Sequence, residues 1–150
     1  MIHVMASSVI NAPVLSVWGL IRDFGTLGDW LPGVKSCLIE GDDPGDRVGA
    51  IRHVEMGDVG VIREQLLALS DVDYAMTFSI IESGLPIRNY RSKITLLPIT
   101  DGDRTFIQWH GQFEAVAEHA ASMEARMPTH IYQPAFDKIA AILASEPTPS

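Results

Sequence analysis

The sequence predicts an α+β fold: a first strand, two short helices, a run of antiparallel strands making about seven in all, and a long C-terminal helix. Three observations carry this. Between Lys35 and Glu114, segments of alternating polarity are separated at regular intervals by Gly-, Pro- and Asp-rich turns, as in an antiparallel meander. From His119 to Ser145, Met123, Met127, Ile131, Tyr132, Phe136, Ile139 and Leu143 fall on one helical face. Between Val17 and Val54 lie a short helix, a tryptophan-anchored turn and two strands joined by the acidic loop GDDPGD.

Taken in order, the first strand is expected over His3 to Asn11. Pro13 follows, suited to a helix start, where its missing N–H costs nothing. Val17, Leu20, Ile21 and Phe24 have helical spacing, so the first helix is expected over Val14 to Phe24. Gly25 and Gly28 permit a tight turn, and Asp29-Trp30-Leu31-Pro32 closes a second short helix. Strands are then expected near residues 35–41, 48–56, 61–70, 74–82, 88–98 and 104–114. Pro128 and Pro134 interrupt the last helix, because each lacks an N–H and clashes with the carbonyl four residues back. A break or kink is expected at Met127–Pro128 and a milder bend at Pro134.

Composition narrows the function. The 150 residues suit one domain over 1–145, with EPTPS at 146–150 reading as a disordered tail. Hydrophobic residues make up 47% and the mean hydropathy is +0.14, yet no apolar run approaches the roughly 20 residues that span a bilayer. The opening MIHVMASSVINAP has no basic start and alternates in polarity, unlike a signal peptide. Cys37 is the lone cysteine and can form no internal disulfide, which fits a cytoplasmic protein. With 19 acidic against 11 basic residues the net charge is −8, which argues against nucleic acid and anionic membranes as partners. His3, His53, His110, His119 and His130 form no metal-binding spacing, and no phosphate loop or Gly-x-Ser-x-Gly elbow is present. No metal or cofactor is expected, and the chain is expected to be a monomer or homodimer.

Several motifs carry a resemblance across about 130 residues. Asp23-Phe24, Trp30-Leu31-Pro32, Gly41, Val48-Gly49-x-x-Arg52, Arg63-Glu64-Gln65-Leu66, Asp71 and Trp109 occur in that order. The set resembles bacterial polyketide cyclase/dehydrase-like members of the START-like (SRPBCC) helix-grip superfamily, which also holds pollen-allergen-type binders. Val34-Lys35-Ser36-Cys37, the Val-Gly-x-x-Arg turn, Glu64-x-Leu66 and Asn89-Tyr90-Arg91-Ser92 are similar in order to plant abscisic-acid receptors. The resemblance implies a curved sheet wrapped around the C-terminal helix, with a ligand cavity between them. Two departures argue against hormone reception. Leu31 stands where that receptor family has a lysine for the ligand carboxylate, and Gly57-Asp58-Val59-Gly60 replaces its longer gate. The string Ser83-Gly84-Leu85-Pro86 occurs one hairpin later than the gate.

Strand parity then marks the concave face. Ala50, Arg52 and Val54 fall together, as do Glu64, Leu66 and Ala68. Tyr74, Met76, Phe78 and Ile80 share a face, and so do Tyr90, Ser92, Ile94 and Leu96. On the last strand Ile107, Trp109 and Phe113 set the inward parity. Arg52 and Glu64 therefore meet on adjacent strands in an apolar interior, where each requires the other or water. They form either a register-fixing ion pair or the polar centre of a site, with Glu64 as proton carrier or water-ordering group.

The candidate ligand-binding set is completed by residues with an equally plain packing reading. Tyr74 and Tyr90 offer phenolic hydroxyls that orient a ligand, or are core residues. Trp30 and Trp109 are stacking platforms or packing anchors, and Met76 and Met127 are adaptable lining or core filler. Phe78, Ser92 and Tyr132 share the expected interior, but no histidine is placed to activate Ser92 as a nucleophile. The leading expectation is a protein that holds a small hydrophobic, aromatic or polyketide-like molecule. The alternative is a cyclase, dehydratase or lyase acting on such a molecule, with Glu64 as general acid/base and Arg52 beside it.

Overall fold

The computed structural model describes residues 1–144. The expected tail at 146–150 lies outside the described residues. The elements are β1 (Ile2–Ile10), α1 (Val14–Ile21), a 3-10 turn (Phe24–Thr26), α2 (Leu27–Trp30), β2 (Val34–Ile39) and β3 (Ile51–Met56). There follow β4 (Gly60–Ser70), β5 (Ala75–Glu82), β6 (Ile87–Ile99) and β7 (Arg104–Ala115). The C-terminal helix runs as α3 (Ala117–Arg126), a π-helical stretch (Met127–Tyr132) and α4 (Gln133–Ala144). The seven strands form one antiparallel sheet in the order β1-β7-β6-β5-β4-β3-β2. Its inner face and the C-terminal helix share one core, the helix-grip arrangement the sequence predicts.

The first helix stops earlier than its apolar spacing suggests. Ile21 is the last helical residue, Arg22 caps the helix, and Asp23 turns extended, at φ −79° and ψ 117°. The Asp23 carboxylate accepts the Gly25 N–H at 2.8 Å, a local bond that competes with helix continuation. The Phe24 N–H donates to the Gly45 carbonyl at 2.8 Å, which tethers this turn to the β2–β3 loop. Gly45 is required there, because a Cβ would collide with the Asp23 carboxylate. Phe24 thus leaves the helix and enters the core from the 3-10 turn, completely buried.

Two corrections concern the strands. Leu66 pairs with Phe78 but Ala68 pairs with Thr77, so a bulge inserts one residue into β4. The bulge reverses parity beyond it: Ala68, expected inside, is exposed, and Leu69 packs on the core instead. Tyr74, expected in β5, sits in the preceding turn with φ +51°. Its ring meets Trp18 of α1 edge-on, at 6.0 Å between centroids.

The prolines act more gently than a break. The Gln133 N–H donates to the Pro128 carbonyl, a bond spanning five residues, and the helix widens by one π-helical turn before resuming as α4. Pro128 lies within this widened turn and Pro134 just after it, at the second residue of α4. The π stretch brings Met127 and Tyr132 into the core.

Candidate functional site

The sheet and the C-terminal helix leave a cavity of about 680 Å³ between them. That volume lies in the range of small-molecule sites. Its floor is built from β3 to β7, which contribute Arg52, Glu64, Phe78, Tyr90 and Trp109. Leu27 and Leu31, at the start and the C-terminal cap of α2, supply one apolar wall. The β3–β4 turn supplies Val59, the β5–β6 loop Leu85 and Pro86, and α3 with the π stretch closes the top.

Arg52 and Glu64 are register partners on β3 and β4 and are 1% and 7% exposed. Arg52 Nε donates to Glu64 Oε1 at 2.9 Å, and Nη2 lies 2.8 Å from the same oxygen. Nη1 donates to the Phe24 carbonyl at 3.2 Å. The guanidinium carbon stands 3.8 Å from the Phe24 ring centroid and 4.7 Å from that of Phe78, a cation–π sandwich. The early end of α1 therefore serves this site, since it delivers both the ring and the carbonyl of Phe24. The described residues donate no hydrogen bond to Glu64 Oε2. One carboxylate oxygen holds the arginine and the other is available to a molecule in the cavity.

Beside this pair lies an aromatic cluster. Trp109 stacks on Tyr132 with centroids 4.2 Å apart and planes at 12°, and Trp30 meets Trp109 edge-on at 6.0 Å. The hydroxyls of Tyr90 and Tyr132 are 2.6 Å apart. Burial pushes both phenols well above the ordinary tyrosine range, so each remains protonated near neutral pH. They act as a neutral hydrogen-bonded pair. Gly111 makes this possible, because a Cβ on β7 would strike the Tyr132 hydroxyl.

The predicted site residues divide into three groups. Arg52, Glu64, Phe78, Tyr90, Trp109 and Met127 border the cavity. Trp30, Met76, Ser92 and Tyr132 are buried behind that surface. Tyr74 lies apart from it, against Trp18. Trp30 Nε1 and Trp109 Nε1 are buried without a hydrogen-bond partner among the described residues. No histidine approaches Ser92 in a hydrogen bond, so it has no base for nucleophilic chemistry.

Sequence reasoning missed the rim. His119, Ser122, Arg126 and His130 border the cavity from α3 and the π stretch. The helical periodicity assigns these polar positions to solvent, which is half of the truth. Gly111 carried a usable signal, since a glycine inside a strand marks a close approach. Among the described residues no group of three or more His, Cys, Asp or Glu side chains could hold a metal ion. Nor is any described helix long and apolar enough to cross a membrane.

Known proteins share this architecture. Over 92 residues the chain is 29% identical to abscisic acid receptor PYL7 of Arabidopsis thaliana, a match covering 59% of this chain and 42% of the receptor. The aligned part thus spans under half of that receptor's length. The structure of XoxI from Bacillus cereus matches with a TM-score of 0.84 at 27% identity, covering 97% of each chain. Norcoclaurine synthase from Thalictrum flavum, solved in complex with dopamine and hydroxybenzaldehyde, has the same fold. Its TM-score is 0.77 at 19% identity, with 98% of this chain and 88% of that chain covered. The family described as polyketide cyclase / dehydrase and lipid transport matches residues 1–144, and the chain belongs to it.

Proposed function

We propose that this protein holds a small hydrophobic molecule, aromatic or polyketide-like, in the cavity beneath α3. One observation carries the reading: a cavity of about 680 Å³ with apolar walls and a floor of Phe78 and Trp109 around the buried Arg52–Glu64 ion pair. Apolar surface taken from water contributes about 25 cal/mol per Å², so a flat ring system would draw most of its affinity from burial. Glu64 Oε2 and the Tyr90 hydroxyl then select orientation by hydrogen bonding. Abscisic acid itself is a poor fit, because Leu31 stands where the hormone receptors carry their lysine.

The free carboxylate oxygen also supports a second reading, in which Glu64 moves a proton on the bound molecule in a cyclase, dehydratase or lyase reaction. Native mass spectrometry of protein isolated from its own host, followed by turnover assays on the copurifying compound, separates the two. Release of the compound unchanged supports carriage or sensing; conversion that stops in Glu64→Gln supports catalysis. For the cavity itself, titration with the neutral fluorophore N-phenyl-1-naphthylamine is expected to show saturable binding that Ile131→Trp, which fills the cavity, reduces at least about tenfold. Equal affinity in the folded Ile131→Trp protein would defeat the proposal.

A further inference from the structure

Inside the cavity the positive charge is already answered. Arg52 is engaged by Glu64 and by the Phe24 carbonyl, so it offers no unanswered positive charge to a ligand inside. The charge imbalance lies at the rim. Arg126, His119 and His130 border the cavity from the helical side, and Asp58 is the acid facing them from the β3–β4 turn. His119 has Glu118 at 3.4 Å, and His130 Nδ1 has the Thr129 hydroxyl at 2.8 Å. Arg126 has neither an ion pair nor a side-chain hydrogen bond among the described residues.

An unpaired guanidinium at the mouth of an apolar cavity is notable in a chain with net charge −8, whose overall field repels anions. We infer that the cavity selects amphipathic organic anions, with the apolar body against Phe78 and Trp109 and the acid group at the rim on Arg126. His119 and His130 add N–H donors on the same side. Asp58, across the mouth, disfavours an acid group placed on the β3–β4 side and so fixes which way the molecule enters. This rests on the reading of the cavity as a ligand site and names the class of ligand. The arrangement is the reverse of a buried carboxylate site: the acid stays near water, where its desolvation cost is small.

Two fluorophores with one ring skeleton test it: 8-anilinonaphthalene-1-sulfonate, an anion, and neutral N-phenyl-1-naphthylamine. Both are titrated at low salt against the full chain, Arg126→Glu and Arg104→Glu, the last a reversal of equal charge at the distant β6–β7 turn. Arg126→Glu is expected to lower the ratio of sulfonate to neutral affinity by about fivefold or more, and Arg104→Glu by less than about twofold. A ratio that Arg126→Glu does not move, or that both variants lower equally, overturns the inference. Binding of the neutral probe without the sulfonate overturns it while leaving the cavity reading intact. If neither probe binds, both fall together.

Discussion

Along the C-terminal helix, α4 buries Ala135, Phe136 and Ile139 against the sheet, whereas α3 buries none of its ten residues. Both lie over one continuous antiparallel sheet, so the difference comes from the helix sequence. QPAFDKIAAILA presents large apolar side chains at core spacing; AEHAASMEAR presents small and polar ones, with Met123 alone partly buried on the core. Under α4 the space becomes packed interior, and under α3 it remains a cavity. The π stretch joins the two halves and adds Tyr132 as the stacked partner of Trp109. A single helix can therefore hold the fold together at one end and roof a hollow at the other.

If that division is correct, equivalent truncations should have unequal consequences. Phe136→Ala is expected to lower unfolding free energy in urea by about 3–5 kcal/mol, the usual cost of a buried aromatic lost from a core. Met123→Ala should cost about 1 kcal/mol or less, because its side chain borders space that is already empty, while changing the affinity for a neutral fluorophore. Similar losses for the two variants would remove the distinction.

The ion pair under α3 is the next test. Arg52→Ala strands the Glu64 carboxylate in a buried setting and should cost about 3 kcal/mol. Arg52→Met combined with Glu64→Leu should unfold at a higher urea concentration than Arg52→Ala, since no uncompensated charge is left. Additive losses across the corresponding double-mutant cycle would mean the pair is not coupled.

At the end opposite the cavity, α1 is clamped through Asp71, which accepts Trp18 Nε1 at 2.7 Å and Arg22 Nε at 2.9 Å. The Arg22 guanidinium holds the Asp71 carboxyl below the ordinary value of 3.8. Because the folded value is depressed, this stabilisation is present above that ordinary value and is lost as pH falls through the folded one. The smallest effect is expected here: Asp71→Asn should be less stable than the parent at neutral pH, with the gap closing under acid. A gap that stays constant from pH 7 to 2 would dissociate Asp71 from the clamp.

Much of the fold was legible because its signals are local. Turn residues place the hairpins, and the parity of β3 and β4 puts Arg52 and Glu64 on the same face of adjacent strands. The same parity failed beyond Leu66, because a bulge depends on how β4 meets β5 and leaves no mark in an alternating pattern. Tyr74 looked like the first residue of a strand, since a left-handed conformation at a non-glycine residue is set by its surroundings. The rim was missed for a different reason. Helical periodicity separates core from solvent and has no symbol for a cavity edge, so His119, Ser122 and Arg126 read as plain surface.

The central claim, that the space beneath α3 takes up an apolar molecule while α4 stays packed, can be measured as intermolecular nuclear Overhauser effects from bound N-phenyl-1-naphthylamine. The expected contacts are to the Trp109 indole and the methyl groups of Ile80 and Ile131, with none to Phe136 or Ile139. Contacts confined to exposed apolar residues of the outer sheet, such as Val9 and Leu97, would contradict it.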